Sequence, residues 1–201
     1  MYAQNDEEAV IDLLFPNVKD GAYVDIGAGG IPESNTYKYY QMGWHGLLVE
    51  PRPDIVDGLR TLRPRDTIVQ AAACDADGEV TMHADGNLTR LSPMEADEPG
   101  MFRCRGLTMA TLLEEFPQFR AVHFASIDVE GAEERVLSSV DLEAFTPDLL
   151  IVEYNTAGVS TDTRDAWEPY LLPFYEPVYC NGVNGFYVRR AIAHLRSLSD
   201  G

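Results

Sequence analysis

The chain has 201 residues, 45% of them hydrophobic, and sets 15 Lys and Arg against 33 Asp and Glu for a formal net charge of −18. That length suits one domain over 1–201 whose core needs no disulfide staples, and the apolar content excludes a wholly disordered chain. The acidity disfavours nucleic acid and anionic membranes, which are held by Lys and Arg; Arg60, Arg63 and Arg65 are interleaved with Asp57 and Asp66 and form no basic stripe.

Cys74, Cys104 and Cys180 lack C-x-x-C spacing. Reduced thiols in a cytoplasmic protein are expected, each packed as a small apolar group. The start MYAQNDEEAV lacks the basic-then-apolar layout of a signal peptide, and no apolar run approaches the ~20 residues of a membrane helix.

In chain order, Ala22 to Ile26 predicts a short strand that runs into glycines, and Ser34 to Met42 a helix with Tyr37, Tyr40 and Gln41 at helical spacing. Gly46 to Glu50 predicts a second strand, closed by Pro51 and Pro53. Asp54 can then cap a helix with Ile55, Leu59 and Leu62 as its apolar face. A third strand begins in Thr67 to Ala73 and ends in a turn at Cys74 to Gly78. The stretch 85–100 is polar and rich in Pro and Gly, which predicts a loop insertion, either a lid or an ordinary surface excursion. Ala121 to Val129 holds another strand, followed by a helix over Gly131 to Val140. Leu149 to Tyr154 is the most apolar strand and should lie centrally. Phe174 to Cys180 and Gly185 to Arg189, joined at Asn181-Gly182, predict an antiparallel pair that adds an edge to the sheet. The whole is an α/β fold, a mostly parallel sheet covered by helices on both faces, with a C-terminal antiparallel hairpin.

The residues that carry chemistry sit at the strand ends. Asp25-Ile26-Gly27-Ala28-Gly29-Gly30 lets backbone approach a ligand closely. Pro32 stands where a dinucleotide fingerprint needs its third glycine, and no Walker A motif occurs. Glu50, one βαβ unit later, suits the two hydroxyls of a ribose. Asp75, after the third strand, could hold an adenine amino group, although the Asp-Ala-Asp-Gly turn explains it equally well. Asp128 and Glu130 close a later strand; Glu153 and Asn155 close the next, on one side of it. Asp128, Glu153 and Asn155 could ligate Mg²⁺, or Asp128 could act as general base, with Glu130 beside it. The alternative is that Glu130 and Glu133 simply serve a helix N-terminus. Trp44, His45, His123 and the cluster Tyr37, Tyr39 and Tyr40 read first as packing residues.

These motifs, in this order, resemble the FkbM family of S-adenosylmethionine-dependent methyltransferases. Tyr2 to Glu7 resembles the family's opening Ser-Gln-x-x-Glu-Asp with the acidic pair reversed. YVDIGAGG, Ser34-Asn35-Thr36 and Gly43 to Pro51 resemble the following blocks. Ser126-Ile127-Asp128-Val129-Glu130-Gly131-Ala132-Glu133 resembles a Lys-Ile-Asp-Val-Glu-Gly-x-Glu block, with Ser126 in place of Lys. The resemblance implies the class I methyltransferase fold, a seven-stranded Rossmann-like sheet with a reversed final strand. It further implies that Asp25, Gly27 and Gly29 face the methionine part of the cofactor and that Glu50 holds the ribose; Ala28, Asn35, Thr36, Asp75 and Asp128 complete the expected cofactor site. The implied reaction is methylation of a hydroxyl on a sugar or natural product, with nitrogen acceptors left open. A small-molecule or saccharide acceptor is the expected partner, and a homodimer is left open. A nicotinamide-dependent oxidoreductase and a non-catalytic interaction module are the rival readings.

Overall fold

The computed structural model describes residues 7–31, 34–86, 88–93, 99–155 and 162–192. Tyr2 to Asp6 of the opening motif lie outside these residues. The elements in order are α1 (Glu7–Leu14), β1 (Ala22–Ile26), α2 (Tyr37–Gln41), β2 (His45–Glu50), α3 (Pro53–Leu62), β3 (Thr67–Gln70), β4 (Ala72–Ala73), β5 (Gly78–Asp85), β6 (Leu88–Leu91), β7 (Met101–Leu107), α4 (Met109–Glu115), β8 (Phe124–Ile127), α5 (Glu133–Ser138), β9 (Leu149–Glu153), α6 (Arg164–Leu171), β10 (Tyr175–Cys180) and β11 (Asn184–Arg189).

Seven strands form the main sheet in the order β10-β11-β9-β8-β1-β2-β3. β3, β2, β1, β8 and β9 run parallel, and β11 pairs antiparallel with both β9 and β10. The reversed strand is therefore internal, not the edge that the hairpin suggested. β10 forms the edge and points with the parallel strands. Alternate residues of each strand feed two cores, as the two-residue period of a strand requires. Val24, Leu47 and Val152 pack with Leu112 of α4, Val136 of α5 and Trp167 of α6. Tyr23, Leu48 and Ile151 pack with Ile11 of α1, Tyr39 of α2 and Leu59 of α3. Each such buried apolar side chain contributes roughly 1.5–3 kcal/mol. This is the class I methyltransferase architecture. Leu149–Glu153 is fully buried, but β8 holds the middle of the sheet.

A second, four-stranded sheet has the order β4-β7-β5-β6. It reaches into the stretch where loop was expected: Leu88–Leu91 of the 85–100 stretch form β6, paired antiparallel with β5, while residues 94–98 lie outside the described set. The third strand splits, since Thr67–Gln70 joins the large sheet and Ala72–Ala73 the small one. The face of α3 is also rotated from expectation. Val56 and Leu59 are buried, whereas Leu62 is 53% exposed. Among the thiols only Cys74 is buried, and Cys180 is exposed. No helix among the described residues is long and apolar enough to cross a membrane.

Candidate active site

The sheet register assembles the site. Ile26 aligns with Val49 on one side and with Ile127 on the other, and Ile127 aligns with Val152. The residue after each therefore stands in one row at the carboxyl edge: Glu50, Gly27, Asp128 and Glu153. Gly27 adopts φ 80°, and a Cβ there would overlap the carbonyl oxygen of Asp128. Only glycine lets β1 turn this tightly beside the end of β8. At Gly29, φ 56°, an added Cβ would meet no atom nearer than 4.0 Å, so that bend faces open space.

Glu50 lies at the mouth of that bend with 3% exposure. Its Oε2 accepts from the Gly29 N–H at 3.0 Å and its Oε1 from the Arg52 N–H at 2.9 Å. Burial pushes its carboxyl above the ordinary range, and the two backbone N–H groups pull it partly back. A cleft of about 770 Å³, open to solvent, joins Gly29 and Glu50 to Ala72, Ile55, Asp128 and Glu130.

Asp128 and Glu130 of the cleft lining and the neighbouring Glu153, which lies outside that lining, bring carboxylate oxygens within 4.8 Å of one another. Burial first, then Glu153, Glu130 and Glu133, hold the Asp128 carboxyl well above the usual carboxylate range, and its hydrogen bond with Glu153 acts in the same direction. Glu130 has φ 55°, the one positive value at a non-glycine among the described residues. Such a backbone costs of order 1–3 kcal/mol and concentrates at functional sites. Glu133 shapes the loop that presents both acids, because its Oε1 accepts from the N–H groups of Val129 and Gly131, each at 3.1 Å.

The family model for the methyltransferase FkbM domain matches residues 21–172. The chain belongs to the FkbM methyltransferase family. Among solved structures, one described as a "putative caffeoyl-CoA O-methyltransferase" from Staphylococcus aureus superposes with a TM-score of 0.50 at 11% identity, covering 91% of this chain and 82% of that one. A TehB-like SAM-dependent methyltransferase from Corynebacterium glutamicum gives 0.49 at 12% identity over 92% and 88%. The 1,6-didemethyltoxoflavin-N1-methyltransferase of Burkholderia thailandensis, solved with S-adenosylhomocysteine, gives 0.47 at 12% identity over 91% and 76%. No curated protein sequence matches the chain.

Within this FkbM methyltransferase, the expected site residues divide into two groups. Gly27, Ala28, Gly29, Glu50, Asp128 and Glu130 line the one cleft. Asp25 and Thr36 are joined to each other instead, Thr36 Oγ1 donating to Asp25 Oδ2 at 2.6 Å. The guanidinium of Arg63, with no exposed surface, donates to Thr36 Oγ1 at 2.9 Å, to Tyr23 Oη at 2.9 Å and to Asp66 at 2.7 Å. This buried network braces the bend from behind and lies outside the cleft lining. Asn35 donates to Ser126 Oγ at 3.0 Å, so the Ser that replaces the family's Lys ties β8 to the α2 entry. Asp75 is ion-paired with Arg135 at 2.7 Å and lies outside the cleft lining. Asn155 gives its amide to the Gly182 carbonyl at 3.0 Å, and the third acid brought beside Asp128 and Glu153 is Glu130.

Trp44 is fully buried, its indole N–H donating to Val18 O at 3.0 Å, and Tyr39 and Tyr40 are core as well. His123 Nδ1 accepts from the Ala22 N–H at 3.1 Å, a structural use. The sequence reading did not single out Arg52, Arg63, or the cleft residues Met82, Thr89 and Leu91 supplied by β5 and β6.

Proposed function

We propose that this chain transfers a methyl group from S-adenosylmethionine to a hydroxyl of a small molecule or saccharide, with Glu50 holding the ribose and Asp128 receiving the hydroxyl proton. The observation that carries the reading is the row Glu50, Gly27, Asp128 and Glu153 at the carboxyl edge of the sheet, the first three of which line one cleft. Glu50 is aligned by backbone donors, whereas Asp128 is buried among carboxylates that oppose its charge. Each oxygen of Glu50 accepts one backbone hydrogen bond and keeps lone-pair capacity for a ribose hydroxyl. The open bend at Gly29 gives the amino-acid portion a place beside the main chain.

When bound, the cofactor's sulfonium supplies a methyl group that is already activated. What is left to the protein is to align the acceptor, exclude water and take up one proton. Positive charge in the cleft lowers the cost of ionising Asp128, so the carboxyl becomes a base when the donor is present. The same acids disfavour the pyrophosphate of a nicotinamide dinucleotide, which argues against the oxidoreductase reading. The oxygens of Asp128, Glu130 and Glu153 also form a set that suits Mg²⁺, in which case the ion would lower the pKa of the acceptor hydroxyl.

Calorimetric titration with S-adenosylhomocysteine tests the cofactor half, and its failure to bind would sink the proposal. A panel of sugar and natural-product acceptors, read by mass spectrometry before and after dialysis against EDTA, tests the rest. Activity that survives chelation assigns the acids to proton uptake. Methylation of amines alone would move the acceptor class to nitrogen.

A further inference from the structure

The small sheet contributes something the motifs do not. In the β5–β6 hairpin, Met82 aligns with Leu91 and Ala84 with Thr89, so Leu91 and Thr89 share one face with Met82. Met82, Thr89 and Leu91 line the cleft together with Ile55 and the alanines 71–73. The hairpin turn is tied to the cofactor end, because Arg52 Nη1 donates to the Gly86 carbonyl at 2.7 Å while the backbone N–H of Arg52 holds Glu50. One side chain is out of keeping with this apolar wall. Thr89 Oγ1 exposes less than 1 Å² and has no hydrogen-bond partner among the described residues. A buried hydroxyl left without a partner costs stability, and a valine of the same shape would avoid that cost.

We infer that Thr89 is a cofactor-binding residue, its hydroxyl bonding the adenosine portion of the methyl donor while Met82 and Leu91 cover that portion from above. The inference rests on the proposed cofactor reading. It places the adenosine between the hairpin and the end of β3, on the side of the cleft where Glu50 stands. A hydroxyl both donates and accepts, so it can serve a base edge or a ribose oxygen.

The test compares full-length wild type, Thr89→Val and Thr89→Ser by calorimetry, with S-adenosylhomocysteine and with 5′-methylthioadenosine, which lacks the amino-acid portion. Thr89→Val should weaken both ligands by a similar factor of roughly 3–10, the scale of one net hydrogen bond. Thr89→Ser should stay within about twofold of wild type. The ligand-free Thr89→Val protein should melt roughly 2–4 °C higher, since an unsatisfied hydroxyl has gone. Equal affinities for wild type and Thr89→Val would overturn the inference. So would weakening confined to S-adenosylhomocysteine, which would put the hydroxyl at the amino-acid end, or a lower melting temperature, which would give it a structural partner. Should Thr89→Val not fold, Thr89→Ala carries the same binding comparison. Failure of the wild type to bind S-adenosylhomocysteine is a different result, and it removes the cofactor reading itself.

Discussion

Glu50 and Asp128 stand in one row of the sheet, on either side of β1, and burial raises both carboxyls. Their surroundings are opposite in character. Glu50 meets two backbone N–H groups and the nearby Arg52, all of which favour its charge. Asp128 meets Glu153, Glu130 and Glu133, which oppose its charge. The first is a carboxyl whose hydrogen-bonding surroundings partly offset the cost of burying its charge. The second is a carboxyl whose burial and acidic neighbours both oppose its ionisation. Perturbation of that kind is what the proposed proton uptake by Asp128 would draw on.

The largest effect should come from the reluctant acid. Asp128→Asn is expected to lower kcat by about 10²–10⁴-fold, the usual worth of general-base catalysis, while the affinity for S-adenosylhomocysteine changes little. The wild-type rate should fall as pH drops through the raised value of Asp128, and so at a higher pH than an ordinary aspartate would give. Stability should run the other way. Folded Asp128 holds its proton more tightly than the unfolded chain does, so the folded state binds more protons from about pH 4 up to the raised value and loses stability as pH rises through that window. Asp128→Asn therefore raises the melting temperature at pH 8 and scarcely moves it at pH 4. An unchanged kcat would end the distinction between the two carboxyls.

A third carboxyl shows what a cation does in the same fold. Asp25 is also raised by burial, but Thr36 and Arg63 act to lower it. Arg63 is the sole cation in that network of bonds to Thr36, Tyr23, Ser34 and Asp66. Arg63→Met should cost roughly 3–5 kcal/mol in chemical denaturation, because it leaves the buried carboxyls of Asp66 and Asp25 without the nearby cation. A loss under 1 kcal/mol would mean the network relaxes freely.

The strand ends were readable because each stops in a residue that cannot belong to the core: the glycines after Ile26, Glu50 after Val49, Asp128 after Ile127 and Glu153 after Val152. The parallel register then had to bring them together. Arg63 was less visible, since its charge reads as surface. Yet Val56, Leu59 and Arg63 fall at i, i+3 and i+7, and that spacing, rather than Ile55, Leu59 and Leu62, is the buried face. The small sheet was hidden for another reason. β5 and β7 carry polar and charged residues at exposed positions, Glu79, Arg103 and Arg105 among them, so no apolar run announces a strand. Their pairing depends on partners far apart in sequence, Gly78 with Gly106 for instance. The internal place of β11 was unreadable for the same reason, because a hairpin signal says which strands pair and not which one inserts.

Glu50→Ala comes next in size. It should weaken S-adenosylhomocysteine by roughly 1–3 kcal/mol, the cost of stranding polar groups that lose a buried partner. Some of that penalty falls on the Gly29 and Arg52 N–H groups, so Glu50→Gln, which keeps an acceptor, should recover part of it. Calorimetry on the pair of variants separates charge from hydrogen bonding at this end of the row.

The smallest effect belongs to Asp75, a carboxylate with 43% side-chain exposure whose pKa is lowered by its bond to Arg135. Exposed pairs of this kind are worth about 0.2–1 kcal/mol, so Asp75→Ala should shift the melting temperature by only a degree or two. Its place outside the cleft lining leads us to expect an unchanged affinity for S-adenosylhomocysteine. If affinity instead fell severalfold, Asp75 would have to leave Arg135 and reach the adenine when the cofactor binds. The comparison would then need a third kind of carboxyl, one that is recruited rather than prepared or poised. Measuring Asp75→Ala beside Arg135→Ala decides between these. Loss of the pair alone affects both variants alike, whereas recruitment of Asp75 predicts tighter binding once Arg135 no longer holds it.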